Sequence, residues 1–495
     1  MNDEKKELVE LLKGDGDSIE AAIKRFEKKR DDTIIDAEDV KKALDPEKHD
    51  VFDEQKRPDK KVKADEGENP DAGMKTVTKK GGKKEAIPMR YEKVARIGLS
   101  YQQKIVNAAA AFAFGTPVKY NTESKDTKEI AVLDALKRVI YDNKMQYFDQ
   151  EMAKELFAFT EIAEFWYPYE GETIHSNYGF PTKMRLRVSM FKPSEGNKFY
   201  PYFDASGDLI SFARTFKVKE GEENKEVDYF EAYTEESIFQ YRKTDDGWTM
   251  VEGYPLPVSI GKIQIVYGRQ EFPDFYPVQS IINDDEVLRS NFSDTNAYHS
   301  DPTTVVKGKI NGFSKKGQAG KVIEIGTDAD VRLLESQNAA EGVKSQHAMN
   351  REDIFSLTQT PDTSFFSMKG IGNLGAAAQR LLFMDAHLKV KSKEVYLGPY
   401  LQRRVNIIKA YIGEFNQVYK AAADTVMIEP EITPFIMGDD SETINMVTTA
   451  VNAGVMSRRT AVQSIGWVQD SEEELMQIEN ELKQAATMDM FPMAE

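Results

Sequence analysis

The sequence predicts an α+β fold, on three observations. Apolar residues recur at helical spacing in residues 91–159 and again after residue 375. Between them, several stretches within 160–270 alternate apolar and polar side chains, as strands with one buried face do. Gly-Asp, Asp-Gly and Glu-Gly turn signals separate those stretches, which predicts an antiparallel sheet.

Composition narrows the function classes. The 495 residues carry 66 basic and 83 acidic side chains, a net charge of -17 that favours solubility and disfavours a general attraction to nucleic acid. Any DNA-handling role therefore needs a local basic patch or an enclosed geometry. Zero cysteines exclude disulfides, thiolate metal sites and a cysteine nucleophile, and agree with synthesis in a reducing compartment. The N-terminus MNDEKKELVELLKGDGDS has no long apolar core, and Ile105 to Phe114 falls short of the ~20 residues that span a bilayer. The chain reads as soluble and unexported, with no membrane partner.

Residues 1–90 hold 22 basic and 24 acidic side chains, which sets them apart as a charged N-terminal region. An amphipathic segment runs through Ser18 to Phe26. Lys56 to Lys84 offers too little apolar surface to offset its ordering entropy, so this part is expected to be flexible or ordered by a neighbouring subunit. Ordered structure is expected from about Tyr91. VARIGLSYQQKIVNAAAAFAFGTPVKYN reads as a helix using Ile97, Tyr101, Ile105, Ala108, Ala109 and Phe112, stopped by Gly115 and turned by Pro117 into a short strand. Helices follow at Thr127 to Tyr141 and Gln146 to Phe159, then strands at Ala163 to Tyr169, Met184 to Phe191, Leu209 to Val218, Val227 to Tyr233, Ile238 to Arg242 and Gln264 to Gly268.

Val278 to Tyr298 is helical but oddly polar, with Asn283, Asp284, Asp285, Arg289, Ser290, Asn291, Ser293 and Asn296 among few large apolar residues. Asp301-Pro302 ends it, and TTVVKGKINGFSKKGQAGKVIEIGTDADVRLLE reads as a small β unit. A second polar helix, Gln337 to Leu357, completes a projecting helical hairpin with a β tip. The longest helix extends from Gly375 to about Val418, interrupted at Gly398-Pro399, a pair that causes kinks. A strand near Thr425 to Ile432 precedes helices at Ser441 to Asn452, Ser457 to Ser464 and Ser471 to Gln484.

The chemical motifs fail on context. GIGNLG, residues 370–375, has the G-x-G-x-x-G spacing of a dinucleotide loop, but no strand precedes it and helix rather than a second strand follows. GFSKKG, residues 312–317, has Gln318 and Ala319 where a phosphate loop needs lysine and serine or threonine. His49, His175, His299, His347 and His387 lack metal spacing and read as surface or cap residues. Asp284, Asp285 and Glu286 point around a helix instead of converging, so they read as a solvated face. Arg458 and Arg459 sit in a short second helix that could belong to a DNA-reading pair, with packing through Met456, Val462, Ile465 and Trp467 as the other use. No cofactor and no enzyme activity are expected.

Six stretches, in order, resemble the portal proteins (head-to-tail connectors) of long non-contractile-tailed bacteriophages. They are KIVNAAAAFAFGTPVKY, KELFAFTEIAEFWYPY, VDYFEAYTEESIFQYR, VQSIINDDEVLRSNFSDTNAYHSDPTTVVKG, AAAQRLLFMDAHLKVKSKEVYLGPYLQRRVNIIK and VNAGVMSRRTAVQSIGWVQDSEEELMQIENE. The resemblance implies a portal fold in a virion ring, typically of twelve subunits, at a capsid vertex, made in the host cytoplasm. It assigns 91–276 to a wing, 277–300 and 337–358 to stem helices, 301–336 to a clip, and 359–375 to a tunnel loop. Residues 376–424 become a long kinked helix returning to the wing, and 425–495 a wing strand and helical crown. The stem's polar faces would be buried against neighbouring subunits or face the channel.

Implied partners are further copies of the chain, the terminase large subunit, a head-completion or adaptor protein, and the major capsid and scaffolding proteins. Double-stranded DNA would pass through without sequence specificity. Phe365, Phe366, Lys369, Gly370, Gly372, Asn373, Gly375 and Arg380 would form the tunnel loop, where Leu374-Gly375-Ala376 replaces the family's Ser-Gly ahead of an alanine. Lys307, Lys309, Lys315, Lys316 and Lys321 would serve clip contacts or DNA, and Gly398 and Pro399 the kink. Another ring-forming virion adaptor, or an enzyme using Gly370 to Gly375 for a nucleotide, are the competing readings.

Overall fold

The computed structural model describes residues 2–14, 16–31, 33–64, 70–78, 84–221, 224–299, 304–307, 310–313, 323–325, 330–333, 337–364, 381, 383–435, 440–464 and 474–481. It divides into two compact units, one of Met1–Pro361 with Ala386–Pro434, the other of Asp362–Asp385 with Phe435–Glu495. The α+β expectation holds.

The N-terminal region departs from expectation. Described elements begin at Asn2: α1 (Asn2–Lys13) and α2 (Gly16–Lys29) form a pair, followed by α3 (Ala37–Leu44). Leu8, Leu12, Ile19, Ala22, Ile23 and Phe26 are buried against Tyr202, Phe230 and Tyr241 of the six-stranded sheet. High charge density concealed a narrow apolar stripe long enough to seat the pair on an aromatic sheet face. The stretch expected to lack its own structure, Lys56 to Lys84, contributes β1 (Lys60–Lys63) and β2 (Met74–Thr78), which pair with the following β3 (Lys84–Glu92) in the order β1-β3-β2. Backbone pairing needs no large side chains, which is why composition misses it.

The body follows the sequence closely. Helix α4 (Tyr101–Phe114), strand β4 (Lys119–Asn121), α5 (Thr127–Asp142) and α6 (Met145–Phe159) precede a sheet of β5 (Glu161–His175) and β6 (Thr182–Phe191). A six-stranded sheet follows, of β7 (Lys198–Phe203), β8 (Leu209–Glu220), β9 (Lys225–Tyr233), β10 (Ser237–Thr244), β11 (Gly247–Met250) and β12 (Leu256–Pro257). Its order is β11-β10-β9-β8-β7, with β12 also on β10. Strand β7 went unread because Pro201 stands in its middle, a residue a sheet tolerates at the edge position β7 occupies. Strand β13 (Ile265–Arg269) completes β13-β5-β6.

Helix α7 (Gln279–His299) leads to β14 (Thr304–Lys307), β15 (Ile310–Phe313), β16 (Ile323–Ile325) and β17 (Asp330–Leu333), and α8 (Gln337–Leu357) returns. Strand β14 pairs with β17 and β15 with β16, so two nested ladders sit between the polar helices. Helix α9 (Met384–Phe415) runs as one element through Gly398 and Pro399, the pair expected to kink it. Leu397, Leu401, Val405, Ile408 and Ile412 bury one stripe of α9 in the main core with Leu136, Leu156 and Ile162. Packing on both sides of the proline carries the helix across the missing N–H. Helix α10 (Lys420–Thr425) and β18 (Glu429–Glu431), paired with β4, close this unit. In the second unit, α11 (Asp440–Asn452) and α12 (Arg458–Ser464) are described.

Candidate functional site

Helix α7 is the centre of the polar hairpin, and its polar residues are clasped within the chain. The helix expected to include Ile97 starts only at Tyr101. Residues 93–99 run extended along α7. The Leu99 amide donates to Glu286 Oε1 at 2.8 Å, Ile97 to Ser290 Oγ at 3.0 Å, and Ala95 to Asp294 Oδ1 at 2.7 Å. Acceptors four apart on a helix lie on one face, and amides two apart on an extended chain point the same way. Those polar side chains take the place of a β-partner for the strand.

A second segment reinforces the clasp. Arg57 donates to Ala95 O at 3.0 Å, Asn291 Oδ1 at 2.9 Å and Asp294 Oδ2 at 3.1 Å. Asp59 accepts from the Arg96 guanidinium at 2.9 Å and the Val94 amide at 3.2 Å. A Cβ on Gly98 would stand 2.3 Å from the Pro46 carbonyl oxygen, so only glycine admits this approach of the two segments. His49 lies within, its Nδ1 2.5 Å from Glu286 Oε1 and its Nε2 2.9 Å from the Ala43 carbonyl.

The three consecutive carboxylates thus diverge, as expected, but the solvated-face reading holds only for the first. Asp284 is exposed and accepts from Gln346 Nε2 and Asn350 Nδ2 of α8, each at 3.2 Å. Asp285, fully buried, meets His347 Nδ1 at 2.8 Å, and Glu286, 1% exposed, holds the His49 clasp. His49 is likewise buried, contrary to its surface reading. The i, i+4 acceptors were visible in the sequence; the extended partner was not, because its side chains carry no pattern for a backbone ladder. No group of histidine, aspartate and glutamate able to hold a metal ion occurs among the described residues.

The stretch expected as the tunnel loop follows α8, where the chain is tied to α9. At the end of α8, Thr358 O accepts from Lys389 Nζ of α9 at 2.9 Å. Lys389 and Lys393 both pair with Asp274, at 2.9 and 2.6 Å, and Lys393 also donates to Gln270 Oε1 at 3.0 Å. Burial raises the Asp274 carboxyl, but the two ammonium groups outweigh it and hold the acid below its ordinary range. Burial, with Lys389 as a like charge, pulls Lys393 below the usual lysine value.

The expected contact residues themselves fall elsewhere. Phe365, Phe366, Lys369, Gly370, Gly372, Asn373, Gly375 and Arg380 lie outside the described residues, as do Lys309, Lys315, Lys316 and Lys321. Lys307 lies on β14 at the register position opposite Asp330. Gly398 and Pro399 are within α9.

Deeper in the main core, Arg404 of α9 is wholly buried between Glu164 and Asp149, at 2.6 and 2.7 Å. Two carboxylates share one guanidinium, and burial pushes the Asp149 carboxyl up to about 6 despite Arg404.

The family model described as phage portal protein, SPP1 Gp6-like, matches residues 49–488. The portal protein of Bacillus phage SPP1 is 21% identical over 419 residues, covering 79% of this chain and 77% of that one. Among solved structures, the neck of a native GTA particle computed with C12 symmetry aligns over 74% of this chain and 88% of that one. Its identity is 10% and its TM-score 0.35. The virion of a native gene transfer agent particle aligns over 76% and 88%, at 11% identity and a TM-score of 0.34.

Proposed function

The chain belongs to the phage portal protein family, and on that premise we propose that it builds the ring at a capsid vertex through which double-stranded DNA is packaged and ejected. The observation that carries this is the continuous family match over residues 49–488, which takes in the wing, the hairpin with its β insert, α9 and the C-terminal helices. The role is structural: the ring is a conduit, and hydrolysis of nucleotide belongs to the terminase. Two polar helices joined by a β unit suit a stem ending in a clip, with the clip meeting first the terminase large subunit and then the head-completion or adaptor protein. Major capsid and scaffolding proteins would hold the ring in its vertex.

A conduit must not grip its cargo. Every neutralised phosphate adds counterion-release affinity, and a ring repeats each cation once per subunit. The net charge of -17 suits low-friction passage. Lys369 and Arg380 are the candidates for transient phosphate contact, and Lys307, Lys309, Lys315, Lys316 and Lys321 for clip contacts. Lysines 389 and 393 are spoken for by Asp274 and so are not free for DNA.

The deciding experiment is native mass measurement of the full chain with negative-stain imaging of the same peak. A ring of about a dozen chains with a central hole is expected, since closed cyclic symmetry is the usual outcome of head-to-tail contacts. A monomer or dimer that binds a nucleotide tightly would overturn the reading. In an assembled ring, Lys369→Glu should change DNA packaging and leave assembly intact; loss of the ring would count against the tunnel-loop assignment.

A further inference from the structure

We propose that residues 43–60 and 93–99 form a strap fastened to the stem helix α7 by a single buried proton on His49, and that loss of this proton unfastens the strap. The geometry sets the protonation state. His49 Nδ1 faces a carboxylate oxygen of Glu286 at 2.5 Å and Nε2 faces the Ala43 carbonyl at 2.9 Å. The Ala43 carbonyl is an acceptor and so is an ionised Glu286, so with the carboxylate charged both ring nitrogens donate, and an imidazole that donates twice is the imidazolium. The side chains of His49 and Glu286 are 2% and 1% exposed, which leaves no water to substitute for either partner.

The charges acting on His49 are Glu286 from α7 and Asp45 from its own segment, the latter tied to Lys48 at 3.2 Å. From the extended segment, the Leu99 amide shares Glu286 Oε1. From α4, Gln103 Nε2 donates to Leu44 O at 2.7 Å, beside the Ala43 carbonyl. Burial opposes the cation, but Glu286 and the Ala43 carbonyl outweigh it and hold the imidazole above its ordinary 6.5.

The sign follows from counting protons. Between 6.5 and the higher value, the closed strap binds one proton more than the open one, so closure weakens as pH rises through that window. Below 6.5 both forms are protonated and closure is at its strongest. Neutral His49 can serve only one of its two acceptors, and the other is left buried and unpaired. Because Glu286 is also the first rung of the amide ladder, the change is passed to Leu99, Ile97 and Ala95.

Hydrogen–deuterium exchange on the full chain tests this without a variant. After correction for base catalysis, the amides of Ala95, Ile97 and Leu99 should show pH-independent protection below the ordinary histidine range. Above it, opening should rise by about tenfold per pH unit until the folded imidazole has titrated, the slope of one linked proton. Amides of α5 and α6 should stay flat. His49→Gln should abolish the slope while leaving the α5 and α6 protection in place. A flat wild-type profile, or the same slope in His49→Gln, would overturn the proposal.

Discussion

Two of the regions that hold carboxylates away from solvent do so by different chemistry. In the main core, Glu164 and Asp149 face the permanent charge of Arg404. Along α7, Glu286 and Asp294 face backbone amides, with an imidazole at one end and Arg57 at the other. The Arg404 cluster is an anchor, since a guanidinium cannot be deprotonated in a protein. The α7 clasp includes a titratable imidazole among its donors, so its hold can change with pH.

The largest break in that contrast should come from Arg404→Met. It leaves two buried carboxylates without a cation, a loss on the order of 3–5 kcal/mol. Denaturant unfolding followed by tryptophan emission reads it, because Trp166 Nε1 donates to Glu164 Oε2 in the same cluster.

Asp149→Asn sharpens the comparison. With its carboxyl raised to about 6, Asp149 holds a proton in the fold that the unfolded chain has already lost. Its contribution is therefore full below the ordinary 3.8 and is lost as pH rises to about 6, at most about 3 kcal/mol by linkage. The variant should lose this acid-side gain and be no less stable at neutral pH, as measured by unfolding midpoints across that window.

Ser290→Ala removes the middle rung and strands the Ile97 amide, a change of about 1–3 kcal/mol if the amide finds no water. It should appear as faster exchange at Ile97 and leave the unfolding of the Arg404 core unaltered. Asp284→Ala touches only exposed contacts to Gln346 and Asn350 and should shift stability by no more than about 0.5 kcal/mol.

Much of the fold was legible because periodicity reports burial directly. The strand starting near Leu209 and the helix from Thr127 reveal themselves through which side chains are apolar. The α7 clasp was half legible: Glu286, Ser290 and Asp294 announce a polar face, and that face reads as subunit contact or channel when the partner is sought among side chains. Its partner is main chain, which is the same at every residue. The N-terminal pair was hidden for the opposite reason, because Leu8, Leu12, Ile23 and Phe26 are diluted among charges that simply point outward. Lys389 and Lys393 were passed over because a lysine in a helix normally signals solvent, and only the fold brings Asp274 between them.

The ladder on α7 joins two rulers of unequal gauge. Four residues of helix advance about 6.0 Å, whereas two residues of extended chain advance about 6.7 Å. Matched at the centre, the two slip by about 0.7 Å at each neighbouring rung, by subtraction of those rises. The side chains absorb the slip: the shortest, Ser290, takes the middle, and the longer Glu286 and Asp294 reach outward at the ends. A fourth rung would fall out of reach, so the arrangement sets its own length. An insertion or deletion of one residue between Val94 and Leu99, or between Glu286 and Asp294, would throw every rung beyond it off its mark. Apart from Gly98, the extended stretch should therefore tolerate changes of side chain far better than changes of length.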